Sequence, residues 1–240
     1  MADTITQKSL KRDFTLRLTE AGEVRGVYAE GICTFYGVPY AAPPVGANRF
    51  REAQPANPWD GVPDATRPGA TARYKIPDFP GLDIVPLIDT GENGGDDFLT
   101  VNIWTPKDAE KRPVMVWVHG GAFMLGSKDA TISNGTEFAR SGVVCVALGY
   151  RVNIEGFLPI PGAPTNLGLR DILAALRWVR DNIAAFGGDP DNITVFGESA
   201  GAMAIADLIT SPVAKGLFKR AIVESGARTA CGRVMLSRLR

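Results

Sequence analysis

The sequence predicts an α/β fold: a mostly parallel, doubly wound sheet that is preceded by an N-terminal β-hairpin. Short apolar runs such as Val114–Val118 and Val143–Leu148 are typical of strands buried on both faces of a parallel sheet. Stretches with helical periodicity follow them along the chain. Near the start, an alternating pattern around a Gly-containing turn indicates a hairpin. With 240 residues, 45% of them hydrophobic, the chain is long enough to bury one sizeable core.

The first third of the chain is predicted to be antiparallel and then irregular. Phe14–Thr19 and Glu23–Glu30 alternate in polarity on either side of a turn, and Gly31–Tyr36 adds a third strand. Residues 37–46 are rich in Pro and Gly, so they are neither helix nor central strand. A long irregular segment, Pro63–Asp97, follows. A loop of this length in a compact domain is usually functional or mobile.

The second part of the chain is predicted to supply the buried strands and one long helix. The strands lie at Phe98–Trp104, Val114–Val118, Val143–Leu148, Ile193–Phe196 and Ala221–Glu224. Asn166 is the predicted N-cap of a helix that ends near Gly187. The apolar residues of this helix share one stripe, which consists of Leu169, Ile172, Leu173, Leu176, Val179 and Ile183. The stripe predicts that the helix packs on the sheet.

The stretch that indicates chemistry is Ile193–Gly201, where Gly-x-Ser-x-Gly follows a strand and precedes a helix. This is the pattern of a nucleophile elbow, in which a strained backbone projects the serine hydroxyl above the sheet. We predict that Ser199 is the nucleophile and that Gly197 and Gly201 let strand and helix pass closely. The N–H of Ala200, at the positive end of the helix, is a candidate oxyanion donor. The alternative is a Gly-rich loop with a solvated serine.

A second turn, His119–Ala122, directly follows a predicted strand. Its two glycines allow backbone N–H groups to approach a substrate carbonyl, so Gly120 and Gly121 are predicted to complete an oxyanion hole. The alternative is an ordinary strand-to-loop turn. His119 is the only histidine of the chain. We expect that its ring does not reach Ser199, since the N–H groups beside it must face the serine.

Composition argues against several classes of function. Lys plus Arg and Asp plus Glu both number 26, so the formal net charge is zero and no nucleic-acid partner is expected. No apolar run approaches transmembrane length, and the polar start has no signal-peptide core, so no membrane partner is expected. Cys33, Cys145 and Cys231 lie far apart without metal-ligand spacing. We therefore expect no metal, no cofactor and a reduced, cytoplasmic protein.

Three blocks of sequence carry a resemblance to a known family. They are Tyr36–Ala41 with Pro43–Gly46 and Arg49-Phe50, then Asp96–Pro106, and finally Asn166–Asp171 with Phe186–Pro190 and Phe196–Gly201. Together they resemble the type B carboxylesterases, the cholinesterase and para-nitrobenzyl esterase branch of the α/β-hydrolases. The resemblance runs from Phe14 to Gly226. It implies the N-terminal half of an α/β-hydrolase fold and hydrolysis of a small-molecule carboxylic ester through an acyl-enzyme.

The resemblance also assigns roles to individual residues. It makes Ser199 the nucleophile and Gly120, Gly121 and Ala200 the oxyanion donors. Glu198, beside the nucleophile, either lines the substrate pocket or is simply exposed to solvent.

Two structural ion pairs are implied in the same way. The resemblance pairs Arg49 with Asp96 and Arg151 with Asp171. For each pair the alternative is unpaired surface charge, which contributes only about 0–1 kcal/mol.

The catalytic acid and histidine of this fold follow the serine in the chain, and no matching segment occurs here. We expect residues 1–226 to be the N-terminal part of a single α/β-hydrolase domain that is C-terminally truncated. Residues 227–240 contain four Arg and no acid, and are expected to be a basic tail that does not resemble the family. A premature stop or a frame change is the preferred explanation, and a short basic amphipathic helix is the alternative.

The missing base has a consequence for activity. Without a histidine the serine remains a weak nucleophile, so the chain alone is expected to be nearly inactive. The alternative function is a non-catalytic, esterase-like fragment or binding module. The sequence makes no prediction of the oligomeric state or of the ester.

Overall fold

The computed structural model describes residues 13–76, 80–81 and 91–226. Within them eight strands form one sheet in the order β1-β2-β3-β4-β6-β5-β7-β8. The strands are β1 (Asp13–Thr19), β2 (Gly22–Ala29), β3 (Ile32–Pro39), β4 (Thr100–Pro106), β5 (Arg112–Val118), β6 (Val144–Leu148), β7 (Gly188–Glu198) and β8 (Arg220–Glu224). The helices are α1 (Thr136–Arg140), α2 (Asn153–Phe157), α3 (Leu167–Asn182) and α4 (Ala200–Ile209). The predicted tail, 227–240, lies outside the described residues.

The first four strands pair antiparallel in chain order, and the connections from β1 to β2 and from β2 to β3 are each two residues long. Thr19 of β1 lies opposite Gly22 of β2, and such tight turns join only antiparallel strands. Strand β3 pairs antiparallel with both β2 and β4, and β4 pairs antiparallel with β6. The sheet of the described residues is therefore mixed rather than mostly parallel as the sequence predicted. The predicted N-terminal hairpin is present.

The parallel half of the sheet consists of β6, β5, β7 and β8. Helix α3 connects β6 to β7, and α4 connects β7 to β8. Val118 of β5 lies beside Gly197 of β7, so the carboxyl ends of these two strands meet at one edge of the sheet. Ligands of α/β sheets bind outside the carboxyl ends of the strands. This topology places the two predicted functional turns next to each other.

Helix α3 packs on the sheet through the predicted stripe. All residues of that stripe, which continues into a 3-10 turn, are buried: Leu169, Ile172, Leu173, Leu176, Val179 and Ile183. Fully burying one such side chain contributes about 1.5–3 kcal/mol. Asn166 occupies the N-cap position of α3, as predicted, but its φ is 56° and its side chain makes no capping hydrogen bond. An N-capping side chain requires an extended backbone, which this left-handed residue lacks.

Candidate active site

Ser199 lies between β7 and α4 in a backbone conformation that L residues rarely adopt. Its φ is 52° and its ψ is −119°. Its N–H donates to the carbonyl oxygen of Glu224 on β8 over 2.9 Å, and its own carbonyl accepts the N–H of Met203 over 2.9 Å. Strained residues persist only where the surroundings over-determine them, and they cluster at functional sites. Here β8 on one side and the first turn of α4 on the other fix the strained residue.

The two glycines of the elbow are required by the end of β5. A Cβ built on Gly201 would lie 2.1 Å from the carbonyl oxygen of Val118 and 2.7 Å from that of His119. A Cβ on Gly197 would lie 2.6 Å from the same Val118 oxygen. Only glycine therefore fits at either position, and the elbow rests directly against the carbonyl groups that precede the second turn.

That second turn lies directly against Ser199. A Cβ built on Gly120 would be 3.3 Å from the Cβ of Ser199. The next three residues, Gly121, Ala122 and Phe123, have φ values of 106°, 53° and 61°. Three consecutive left-handed residues turn the chain sharply, and two of them carry a Cβ. The loop that contains these strained residues thus lies next to the strained Ser199 of the elbow.

Backbone N–H groups without acceptors occur in the loop and in the helix start that flank Ser199. Within residues 13–76, 80–81 and 91–226, no acceptor is found for the N–H groups of Gly120, Gly121, Ala122 and Ala200. Free N–H groups at a turn and at a helix N-terminus attract negative charge. Ala122 is not among the donors predicted from the sequence, because an alanine gives no sign that its backbone is left-handed.

Glu198 lies beside the same loop. Its Oε2 would be 2.8 Å from a Cβ built on Gly120, and the residue is half-buried. The hydroxyl of Ser199 has no hydrogen-bond partner among the described residues. The polar groups that these residues bring to Ser199 are therefore backbone N–H groups and the Glu198 carboxylate.

His119 is buried and its ring is engaged away from Ser199. Nδ1 lies 2.8 Å from the carbonyl oxygen of Gly120, and the ring stacks on Tyr150 with centroids 4.3 Å apart. The pKa of His119 is lowered to about 4, mainly by burial; the Gly120 bond acts in the opposite direction, and the nearby Lys128 charge adds to the lowering. The ring is therefore neutral at pH 7. This geometry agrees with the expectation that His119 is not the base for Ser199.

Arg151 and Asp171 form a buried ion pair. Arg151 Nη2 is 2.6 Å from Asp171 Oδ1 and Nε is 2.7 Å from Oδ2, with side-chain exposures of 1% and 0%. Arg151 Nη1 also donates to the carbonyl oxygen of Arg51 over 2.7 Å. The pair connects the segment after β6 to the N-terminal part of α3.

The predicted pair between Arg49 and Asp96 is wrong. Arg49 Nη2 lies 2.7 Å from Glu155 on α2, and Asp96 Oδ1 lies 3.0 Å from Arg73 Nη2. Both pairs are largely exposed, so each contributes only about 0–1 kcal/mol to stability. Such weak pairs do not hold two distant segments together, and each charged side chain pairs with the opposite charge that lies nearest to it. For Asp96 that charge is on Arg73, because the backbone bond from Thr71 to Asn93 brings their two segments together.

The part of the chain that the structure describes contains neither a metal-binding cluster nor a membrane-spanning helix. There, no group of three or more His, Cys, Asp or Glu could hold a metal ion. The described cysteines, Cys33 and Cys145, are buried free thiols. Among the same residues, no helix combines the length and the apolar character that crossing a membrane demands.

Solved structures share this architecture. A structure of PNB esterase matches with a TM-score of 0.81 at 42% identity, covering 92% of this chain and 47% of that chain. A thermophilic PNB esterase matches with a TM-score of 0.81 at 41% identity over the same shares. These neighbours have the α/β-hydrolase fold. The predicted fold class is thereby confirmed, and the chain has the α/β-hydrolase fold.

Sequence comparison gives the family. The model of the Carboxylesterase family matches residues 13–236. The para-nitrobenzyl esterase of Bacillus subtilis (strain 168) is 46% identical over 215 residues, which cover 87% of this chain and 43% of the relative. The phenmedipham hydrolase of Pseudarthrobacter oxydans is 45% identical over 86% of this chain and 42% of its own. The cholinesterase of Mus musculus is 40% identical over 92% and 38%.

The chain belongs to the carboxylesterase family. It spans less than half the length of these curated relatives. The family match also extends past residue 226, where the sequence analysis places the start of a basic tail. The division of the chain at that residue stays a prediction.

Proposed function

We propose that this chain carries the nucleophile part of a serine carboxylesterase site. Ser199 attacks the carbonyl carbon of a small-molecule carboxylic ester, and the N–H groups of Gly120, Gly121 and Ala200 stabilise the oxyanion, with Ala122 as a further donor. One observation carries the proposal: a left-handed serine at a helix start lies against a loop, and the backbone N–H groups of both have no acceptor among the described residues. The ester-hydrolysing relatives support it.

The proposed reaction has two steps. In the first, the bond from Ser199 Oγ to the acyl carbon forms, the ester C–O bond breaks, and the alcohol leaves with the serine proton. In the second, water cleaves the acyl-enzyme and releases the acid. In a comparable serine hydrolase, loss of the histidine reduces kcat by about 10⁶, while oxyanion hole and binding retain about 10³–10⁴ over water. We therefore expect the chain by itself to be almost inactive.

The relatives suggest which ester to test first. Two of them are named for hydrolysis of a para-nitrobenzyl compound and of phenmedipham. We propose para-nitrobenzyl esters as first substrates, with Glu198 lining the pocket beside the loop. We also propose a reducing, cytoplasmic location, which the buried thiols of Cys33 and Cys145 support.

The test is covalent labelling with a fluorophosphonate. The Ser199 Oγ–P bond forms, fluoride leaves and the hydroxyl proton passes to solvent. Intact-mass and peptide analysis should locate a slowly formed adduct on Ser199, and Ser199→Ala should abolish it. Ser225→Ala is the matched control, because Ser225 has the same φ of 52° and directly follows β8. An adduct that persists in Ser199→Ala would refute the nucleophile.

The competing function is a non-catalytic, esterase-like fragment or binding module. It is favoured by the absence of a base on Ser199 among the described residues. Any turnover of para-nitrobenzyl esters that is lost in Ser199→Ala would exclude it. A chain that neither labels nor turns over ester would support it.

A further inference from the structure

The chain's single histidine is buried beside the active-site loop without serving the serine. The His119 side chain is 4% exposed. Its ring lies against the Tyr150 ring at an interplanar angle of 18°, and the Tyr150 hydroxyl donates to the carbonyl oxygen of His119 over 2.7 Å. The ring plane and the backbone of His119 are thus fixed by one neighbour, and Nδ1 is directed to Gly120.

The bond to Gly120 determines which ring nitrogen carries the proton. A carbonyl oxygen only accepts hydrogen bonds, so Nδ1 of His119 must be the donor. In the neutral ring, Nε2 then has no proton. Free imidazole side chains have no such constraint, and the choice of tautomer is imposed by the partner of one nitrogen.

The same bond orients an N–H group of the oxyanion loop. The carbonyl of Gly120 and the N–H of Gly121 belong to one trans peptide unit, in which they point in opposite directions. Glycine residues on both sides of this unit offer no side chain to fix it, and Gly121 has a φ of 106°. A donor on the Gly120 oxygen therefore fixes the direction of the Gly121 N–H.

We propose that His119 is a positioning residue, whose Nδ1–H holds the Gly120–Gly121 peptide so that the Gly121 N–H stays directed at the oxyanion. This inference rests on the proposed function of the loop. The hydrogen bond from His119 Nδ1 to the Gly120 oxygen also polarises the Gly120–Gly121 peptide unit, which makes the Gly121 N–H a stronger donor. The histidine acts on the reaction through Gly121 and does not touch the substrate.

The surroundings of the bond support this role. A Cβ built on Gly126 would lie 2.5 Å from His119 Nδ1 and 2.5 Å from the Gly120 oxygen. Gly126, with a φ of 107°, therefore covers the bond closely and leaves no room for a side chain or for water between its two atoms. Lys128, which is buried and paired with Asp129, lines a small cavity with His119. Its positive charge disfavours a second proton on the ring.

The first experiment tests the tautomer in the unaltered chain. Because the chain has one histidine, ¹⁵N-histidine labelling gives a single imidazole in the NMR spectrum. We expect a directly bonded, slowly exchanging proton on Nδ1 and an unprotonated Nε2 at pH 7. A proton on Nε2 alone would overturn the proposal. The measurement does not require Ser199 to react, so it fails independently of the proposed function.

The second experiment tests the effect on Gly121. Labelling glycine with ¹³C at the carbonyl and with ¹⁵N selects amides that follow another glycine, which are those of Gly95, Gly121 and Gly188. In His119→Leu the Gly121 resonance should shift and broaden, while Gly95 and Gly188 stay in place. His119→Asn should restore Gly121, because its amide nitrogen is as many bonds from the Cα as Nδ1. An unchanged Gly121 in His119→Leu would overturn the proposal.

The third readout is the rate of labelling at Ser199 by the fluorophosphonate. Removing an oxyanion donor typically reduces rates by about 10²–10³. In His119→Leu we expect a decrease of this order in the maximal labelling rate, with half-saturation unchanged and with recovery in His119→Asn. A variant that alters only half-saturation would contradict positioning. If the unaltered chain does not label at all, the proposed function fails while the NMR experiments still decide the role of His119.

Discussion

At the scale of single residues, the geometry of Ser199 depends on glycines that touch neighbouring carbonyl groups. A methyl group at position 201 would enter the space of the Val118 oxygen, 2.1 Å away. We expect Gly201→Ala to lower the free energy of unfolding by about 1–3 kcal/mol, as overpacking does, and to slow labelling of Ser199. Urea denaturation measures the first effect.

The control is a glycine that meets nothing. A Cβ on Gly94 has no atom within 4 Å, and no left-handed φ is found there. Gly94→Ala should leave the stability unchanged or raise it by about 0.4–1 kcal/mol through the unfolded chain. Equal losses in Gly94→Ala and Gly201→Ala would show that the contact with β5 is not what restricts the elbow.

Burial of His119 makes the stability depend on pH in a defined direction. Its pKa is about 4 in the folded chain and about 6.5 when unfolded. Below pH 6.5 the unfolded chain takes up the proton first, so the contribution is complete above that pH and is lost as pH falls toward 4. We expect a loss of about 2 kcal/mol between pH 7 and pH 5. Urea titrations at both pH values measure it.

The substitution His119→Asn isolates the contribution of the imidazole to this pH dependence, since the chain has no other histidine. The variant should show a smaller loss of stability between the two pH values, by the same amount. If the two proteins lose stability in parallel, the ring is not buried in its neutral form.

The residues of the site differ in how far the sequence could predict them. Gly-x-Ser-x-Gly between strand and helix indicates Ser199, because only glycine fits sterically at positions 197 and 201 and the motif therefore shows in the sequence. No sequence motif indicates the left-handed backbone of Ala122 or the hydrogen bond of His119. A left-handed alanine and the direction of an imidazole depend on contacts made only after folding.

At the scale of elements, one buried ion pair attaches α3 to the segment after β6. Asp171→Asn would leave the Arg151 guanidinium buried without a counter-charge, and breaking such a pair typically destabilises by about 3–5 kcal/mol. The matched control is Asp96→Asn, which breaks the exposed pair with Arg73 and should change stability by about 0–1 kcal/mol. Chemical denaturation that finds equal effects would contradict the importance of burial.

The hydrophobic periodicity of the sequence predicted an element well where the apolar residues of that element are buried on one side. The stripe on α3 lies on the sheet as expected, because a helix can bury apolar residues spaced in this way only on one side. Partners of exposed charges follow no such rule. Arg49 pairs with Glu155 rather than Asp96, since the choice depends on how two distant loops approach.

At the scale of the whole molecule, β8 is the edge of the described sheet. Ile222 and Val223 are 45% and 37% exposed there. An apolar edge with free backbone groups promotes association and aggregation. We expect the chain to self-associate or to be partly molten at micromolar concentration, as sedimentation and thermal melting would show. A sharp, cooperative melt of a monomer would count against this.

A substitution on β8 distinguishes association through this edge strand from nonspecific association of exposed apolar residues. Ile222→Lys should reduce self-association, since a charge on an edge strand opposes pairing. Ile154→Lys is the control, because Ile154 is 54% exposed but lies on α2. Equal effects of the two changes would remove β8 as the cause.

The topology of the whole sheet was only partly predictable. The sequence indicated buried strands, and the comparison with PNB esterase confirms the fold class. It did not indicate that β4 pairs antiparallel with β6, because pairing between strands far apart in sequence leaves no local pattern. The mixed sheet results from this pairing and from the short N-terminal turns.

A crystal structure of the chain phosphonylated on Ser199 would test the central claim most directly. The phosphonyl oxygen stands where the oxyanion of an ester would form. We expect it to lie about 2.7–3.1 Å from the N–H nitrogens of Gly121 and Ala200, with the His119 Nδ1 bond to Gly120 intact. An oxygen directed into solvent, with these N–H groups turned away from it, would contradict the claim.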